Sequence, residues 1–319
     1  MQLTGIHHVT AVSGRIRDNH QFYTQIMGMR LVKRSINQDD VSAYHLFYAD
    51  AVGTPGTDLT FFDWDMPSER RGTHSIARTS LRVQGRTAVE WWASYLVEQQ
   101  VKITSDGVVE RDGRATLDIE DPEGQRLSLI DDGGQGDTPV PWENSPVPAE
   151  FQIRGLGPLL LSIPELTTTD LFLTRVLDMR RVREYPNPEN PQLPVVVYEM
   201  GGGGPHTELH LVVQPHLPVA QLGAGGVHHL AVRTPNEDEY HAWTERLNSL
   251  RVPNSGEIDR HYFRSMYFRE PNGILFEIAT DGPGFAVDED PATLGESVVL
   301  PPFLEPRREQ IVANLKPID

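Results

Sequence analysis

The sequence predicts an α+β protein built from four βαβββ modules in two lobes. Three observations lead there. GIHHVTAV at 5–12 is echoed by GVHHLAVR at 226–233, and EDPEGQRLSLI at 120–130 by REPNGILFEIA at 269–279. Echoes drawn from different ends of the chain mark the start and the finish of one repeated unit, and tracing outward gives four units of about 55–65 residues. The Pro-rich stretch at 137–150, DTPVPWENSPVPAE, reads as a stiff linker between an N-terminal pair of units, 1–136, and a C-terminal pair, 151–281.

Each unit opens on a short apolar strand, at 6–12, 80–83, 159–163 and 229–233. A helix follows. It is expected at 18–27, with Phe22, Ile26 and Met29 at helical spacing, and at 88–99, with Trp91, Trp92, Tyr95 and Leu96. The third runs 169–177 and the fourth 237–250, where Tyr240, Trp243 and Leu247 share a face. Pro235-Asn236 and the stretch from Thr167 to Asp170 are helix-start signals. Closing strands fall at 44–48 and 59–64 in the first unit and at 195–199 and 208–213 in the third. Pro122-Glu123-Gly124 and Pro271-Asn272-Gly273 fit tight hairpin turns. The tail, 282–319, is Gly/Pro-rich and acidic before PPFLEPRREQIVANL, and suits either a segment docked on a lobe or a cover over a site.

Composition removes whole classes of function. Asp and Glu outnumber Lys and Arg by 45 to 28 in 319 residues, a formal charge of -17. Such a surface repels phosphate backbones and anionic lipid, so neither nucleic acid nor membrane is an expected partner. There is no cysteine, which excludes disulfides, thiol nucleophiles, iron–sulfur clusters and zinc–thiolate sites. Any metal must therefore rest on His, Asp, Glu or carbonyl oxygen. MQLTGIHHVTAV has no basic run leading into an apolar one, and no stretch approaches 18 apolar residues, so a cytoplasmic address is expected. A homo-oligomer stays open. The four glycines at 201–204 lack the Lys and Ser/Thr of a phosphate loop and read as a hairpin.

The turn glycines serve as a ruler for the last strand. Glu277 lies four residues beyond Gly273, and the same step from Gly124, Gly204 and Gly56 reaches Ser128, Glu208 and Thr60. Aligning HLAV with SLRV sets His229 against Ser80, and both spacings (277 − 229 and 128 − 80) come to 48. The matching first-strand positions are His8 and Pro158. Only units one and four bring ligand types there, so a cup shared between them would hold His8, His229 and Glu277, with Thr60 a poor fourth corner. Two imidazoles and one carboxylate with vacant positions suit non-haem Fe(II), with Mn(II) close behind. Units two and three would form a metal-free cup.

Composition alone yields about 0.4 His-His pairs in a chain like this, yet two occur, both at the heads of matching strands. Glu277 interrupts the apolar run ILFEIA, where a carboxylate is costly without a cation. A salt bridge to Arg264 or Arg269 is the competing account. Thr10 should share a face with His8, whereas His7 and His228 should point away unless the strand is bulged. The segment DRHYFRSMY offers Arg260, His261, Tyr262 and Tyr267 either as hairpin surface or as partners for a phenol or an oxygen species. His20, His45, His74, His206, His210, His216 and His241 show no metal-ligand spacing.

Repeated βαβββ units with His on the first strand and Glu on the last resemble the vicinal oxygen chelate superfamily, which includes glyoxalase I and type I extradiol dioxygenases. GIHHVT at 5–10, GVHHLAVRTP at 226–235 and RHYFRSMYFREPNGILFEIATDGPGF at 260–285 look most like its hydroquinone ring-cleaving dioxygenase branch. The resemblance spans almost the whole chain. It implies Fe(II) on His8, His229 and Glu277, with supporting roles for His7, Thr10, His228, Arg260 and Tyr267. It also implies a small aromatic 1,4-diol as substrate, with both atoms of O₂ added across a ring bond. A hydroquinone's second hydroxyl is para to the first, so a His, Tyr or Arg away from the metal must hold or deprotonate it. Two other classes compete. A glyoxalase-like isomerase or lyase would normally want a fourth protein ligand where Thr60 stands. A metal-free binding or resistance protein would have no use for two histidines and a glutamate.

Overall fold

Four times along the chain an apolar strand runs into a helix and returns as antiparallel strands. The computed structural model describes residues 1–188 and 190–318. The first module comprises β1 (Gly5–Ser13), α1 (Ile16–Gln21), β2 (Arg30–Ile36), β3 (Tyr44–Ala49) and β4 (Asp58–Asp63). The second has β5 (Ser75–Val83), α2 (Gly85–Glu98), β6 (Lys102–Ile103), β7 (Val109–Arg111), β8 (Arg114–Glu120) and β9 (Arg126–Asp131). The third has β10 (Gly155–Ile163), α3 (Thr167–Leu171), β11 (Arg180–Pro186), β12 (Pro194–Glu199) and β13 (Glu208–Val213). The fourth has β14 (Val227–Thr234), α4 (Glu237–Ser249), β15 (Ile258–Asp259), β16 (Phe263–Arg269) and β17 (Leu275–Pro283), and α5 (Arg308–Ala313) lies in the tail.

The predicted pattern is present, with local departures. Module two carries an extra short strand, β7, paired to β8. The helices of modules one and three stop early and widen into π turns at Phe22–Ile26 and Phe172–Val176. Bonds five residues apart close them, Met27 N–H to Phe22 O at 2.9 Å and Leu177 N–H to Phe172 O at 3.1 Å. A period-3.6 pattern cannot reveal that widening. At α4, Asn236 Oδ1 accepts from Glu239 N–H at 2.9 Å, so the predicted start signal caps the helix. At α3, the Glu165 carboxylate takes the amides of Thr167 and Thr168, upstream of the predicted threonines.

Modules one and four share an eight-stranded sheet, β15-β16-β17-β14-β1-β4-β3-β2, while modules two and three form a nine-stranded one, β11-β12-β13-β10-β5-β9-β8-β6 with β7. At the centre of the first, β1 and β14 run antiparallel, each parallel to the last strand of its own module. Helix α4 packs on β14 and β17, with Tyr240, Trp243 and Leu247 fully buried. Leu230, Phe276 and Ile278 join the same core, so alternation sends His229 and Glu277 to the opposite face.

The tail is docked. Val299 N–H donates to Arg34 O at 2.9 Å and Ser35 Oγ to Val299 O at 2.8 Å, continuing the sheet beyond β2. The fully buried Lys33 pairs with Asp288 at 2.7 Å and with Glu289. Phe285 packs on Phe47 and Tyr262 at ring distances of 5.1 and 5.5 Å. The tail thus braces β2, β3 and the β15–β16 turn from behind. Among the described residues no helix is long and apolar enough to cross a membrane.

Candidate metal centre

The two His-His pairs occupy equivalent irregularities of the central strand pair. Ile6 faces Val232 and His8 faces Ala231, leaving His7 as the extra residue of a bulge. Thr10 faces His229 and Ala11 faces Val227, leaving His228 as the extra residue on β14. A bulge breaks strict alternation, so both neighbours turn toward the ligand-type histidines instead of away. His7 Nδ1 lies 2.9 Å from His8 Nδ1, and His228 Nδ1 lies 2.7 Å from His229 Nδ1. The glycine ruler finds the correct face but not always the register. Ser80 pairs with Ser128, whereas Glu277 pairs with Ala231 and Thr60 with Thr10. In modules one and four each histidine sits two positions from that pair, which preserves the face.

His8, His229 and Glu277 converge. His8 Nε2 and His229 Nε2 are 3.3 Å apart, and Glu277 Oε2 lies 3.2 and 3.1 Å from them. All three side chains are buried. Glu277 Oε1 accepts from Ser265 Oγ, yet Oε2 makes no hydrogen bond. A buried carboxylate oxygen left bare, facing two ring nitrogens, is costly. The three atoms can lie on one face of an ion about 2 Å from each, so the donor set fits a metal. The salt-bridge account fails, because Arg264 turns to Glu237 and Arg269 to Gly273 O.

The neighbours settle which nitrogens are bare. His7 Nε2 is 3.1 Å from the Thr280 carbonyl, which can only accept. Its proton therefore sits on Nε2, and its Nδ1 accepts from His8 Nδ1–H. That leaves His8 Nε2 as a free lone pair. Burial, then the neighbouring His8 ring, holds His7 down to about 3, and burial followed by His229 does the same for His228. Both are neutral orienting partners at ordinary pH.

Around this centre lies a narrow cavity walled by Phe47, Phe62, Phe263 and Tyr262, with Arg260, Tyr267 and His45 contributing polar groups. None of the described tail residues lines it. Arg260 Nε donates to the Tyr267 hydroxyl at 3.3 Å and Nη2 to Asp39 at 2.9 Å. Burial, reinforced by Glu277, keeps the Tyr267 phenol protonated well above its usual range. Thr10 Oγ1 sits 3.0 Å from His229 Nε2 and 2.7 Å from Thr60 Oγ1. Thr60 Oγ1 in turn lies 3.0 Å from His45 Nε2. His45 is the cavity group that sequence reasoning missed. It stands on β3 between Phe47 and Phe62 rather than at ligand spacing, and only the β3–β4 pairing brings it to Thr60. His261 points elsewhere, to Asp288 at 3.0 Å.

The second sheet forms its own cup, with a cavity of about 610 Å³. Its Glu208, at the position the ruler assigns to Glu277, receives both Arg114 Nη atoms at 2.7 and 2.6 Å, and Arg183 at 2.9 Å. Asp112 and His210 stand close enough to complete a ligand group, but two guanidinium groups already occupy the place of a cation.

Paired βαβββ modules closing on two histidines and a carboxylate define a glyoxalase-like fold with a candidate metal cup. A profile of the glyoxalase/bleomycin resistance protein/dioxygenase superfamily matches residues 5–129 and 155–278, and the chain belongs to that superfamily. MhqA of Bacillus subtilis, named as a candidate ring-cleaving dioxygenase, is 44% identical over the whole of both chains. A chlorohydroquinone/hydroquinone 1,2-dioxygenase of Sphingobium indicum is 28% identical over 98% of this chain and 96% of its own. A crystal structure of a candidate dioxygenase from Bacillus subtilis superposes with a TM-score of 0.88 at 34% identity, covering 100% of this chain and 98% of that one.

Proposed function

We propose that the protein is a ring-cleaving dioxygenase that holds Fe(II), with Mn(II) as a substitute, on His8, His229 and Glu277 and opens a hydroquinone-type ring with O₂. The observation that carries this reading is the bare Oε2 of Glu277 meeting two imidazole nitrogens in an aromatic-walled cavity. The names of the relatives point the same way. When bound, Fe(II) supplies the redox chemistry that lets O₂ react with a closed-shell ring. The chain supplies the rest. His7 and His228 orient the ligand imidazoles, and Phe47, Phe62 and Phe263 clamp the ring and exclude water. Tyr267, kept protonated, donates to a substrate oxygen, and Arg260 fixes Tyr267 and adds positive charge where a phenolate forms. Thr60, tied to Thr10 and lacking a ligand charge, stands where an isomerase site would use a fourth ligand, and among the described residues only His8, His229 and Glu277 group there.

The test is metal analysis after anaerobic purification, followed by oxygen uptake with hydroquinone, methyl- and chlorohydroquinone, and catechol. Uptake with the 1,4-diols and an ultraviolet rise from a ring-opened product are expected. Faster cleavage of catechol would place the protein with the extradiol enzymes. Turnover of a hemithioacetal without oxygen uptake would make it an isomerase.

A further inference from the structure

We propose that the cup of the second sheet binds a small organic acid, its carboxylate against the guanidinium groups of Arg78, Arg111 and Arg114 and its carbon skeleton against Leu160 and Val212. This cup is far roomier than the metal cup. It offers about 610 Å³, against about 40 Å³ beside the metal centre and about 150 Å³ for a pocket that holds benzene. Side-chain size accounts for the difference. Phe47, Phe62 and Phe263 crowd the metal cup, whereas Ser80, Thr116 and Ser128 stand on the wall of this one. Among the described residues Tyr185 and His210 are its only aromatic rings.

Strand pairing sets polar and apolar groups side by side. Leu160 on β10 pairs with Arg78 on β5 and with His210 on β13, so an apolar patch adjoins a guanidinium group at the centre of the wall. Val212, two residues beyond His210, shares its face. A ligand with a charged head and an apolar body matches such a wall.

Charge selects the head. Asp118 takes both Arg111 Nη atoms at 2.9 and 2.6 Å, with Arg78 Nη1 3.4 Å away. Glu208 takes Arg114 and Arg183, and Asp112 takes Arg183 Nε at 2.9 Å. Burial pushes the carboxyls of Asp118 and Glu208 up, but the neighbouring guanidinium groups, with His210 beside Glu208, more than offset it and keep both ionised. Four guanidinium groups thus face three carboxylates inside the cup. At its mouth Arg71 and Lys102 flank Glu120, and the exposed Glu110 turns outward to Arg86. The chain as a whole carries a formal charge of -17, so a cavity with positive charge in excess stands apart from the rest of the molecule. Arg78, Arg111 and Arg114 are 16 to 20% exposed, and partly buried guanidinium groups pair best with a planar carboxylate. The open-chain acid that ring cleavage would release belongs to this class, although the site does not depend on that reading.

The probe is benzoate, titrated calorimetrically into chelated protein so that metal plays no part. Millimolar or tighter binding is expected, weakening as ionic strength rises. Benzamide, which has the same shape without the charge, should not bind measurably. Inorganic phosphate, which has the charge without the apolar body, should bind at least about 10-fold more weakly than benzoate. Leu160→Trp fills the cup while leaving every ion pair in place, and should abolish binding. Arg78→Gln should weaken it about 10-fold. Glu277→Ala, in the other sheet, should bind benzoate as the wild type does. No binding by the wild type, equal binding of benzamide or phosphate, or undiminished binding in either folded cup variant would overturn the inference. Loss of binding in Glu277→Ala would place the acid in the metal cup and overturn it too. None of these outcomes bears on the dioxygenase reading.

Discussion

The Nδ1 atoms of His7 and His8 lie 2.9 Å apart, and the Nε2 of His7 rests 3.1 Å from the Thr280 carbonyl. Those two contacts dictate the tautomer of His8 and leave its Nε2 bare for an ion. His7→Ala should therefore fold normally and still bind metal, but about 10- to 100-fold more weakly. Competition against a graded chelator measures it. Unchanged affinity would mean that the bulge, not the contact, orients His8.

Glu277 gives a sharper expectation. Burial pushes its carboxyl up, but His8 and His229, 3.2 and 3.1 Å away, more than offset that and hold it well below its usual range, so its loss removes a ligand from the loaded chain and an ion-pair partner from the metal-free one. Glu277→Ala should abolish metal retention and the rise in Tm that Fe(II) or Mn(II) produces. The chelated variant should still unfold cooperatively, with a Tm within a few degrees of the chelated wild type. A large fall there would show Glu277 to be a structural residue. His8→Ala and His229→Ala should likewise lose the metal.

Arg260 and Tyr267 should behave differently from the ligands. Neither approaches the ion site as a donor, and the guanidinium lies over the phenol ring, 5.3 Å from its centre. Arg260→Ala and Tyr267→Phe should keep full metal occupancy while kcat falls at least about 10-fold. Loss of metal in either would move these residues from substrate to centre.

The pH dependence of stability follows from His7. Burial, then His8, holds it near 3 in the folded chain, against about 6.5 when unfolded. Between those values the unfolded state binds more protons, so the stability present above pH 6.5 is lost as pH falls toward 3. One such group contributes a slope of at most about 1.4 kcal/mol per pH unit. Urea midpoints of chelated protein between pH 4.5 and 7 should fall less steeply in His7→Asn than in the wild type. Parallel slopes would place the acid sensitivity elsewhere.

Much of this centre was legible because apolar strands make ligand-type residues conspicuous. Glu277 inside ILFEIA and His8 and His229 at the heads of echoed strands need little else to be found. The hidden parts depend on pairing. A bulge is a mismatch between two strands, so neither GIHHVT nor GVHHLAV shows by itself that His7 and His228 turn inward. His45 had no spacing to flag it, because its partner Thr60 is brought near by the β3–β4 hairpin. Likewise, Glu208 and Glu277 hold equivalent places, and only the positions of Arg114 and Arg183 make the first a structural ion pair.

The cavity beside the centre holds only about 40 Å³ of free space, whereas a pocket that accepts benzene is nearer about 150 Å³. A diol must therefore displace something to enter. Asn37, Gln38 and Asp39 line the opening, and two contacts hold that segment across it: Gln38 Nε2 donates to Arg260 O at 2.9 Å and Arg260 Nη2 to Asp39 at 2.9 Å. Asp39 is exposed, so the tie is weak enough to open. Asp39→Ala should raise the association rate of hydroquinone several-fold in stopped-flow binding to Zn(II)-loaded protein, and amide exchange at 37–42 should slow once the diol is bound. Arg260 remains in that variant, so its metal content should be unchanged. Equal association rates in variant and wild type, with no change in exchange, would mean that the ring enters from another side.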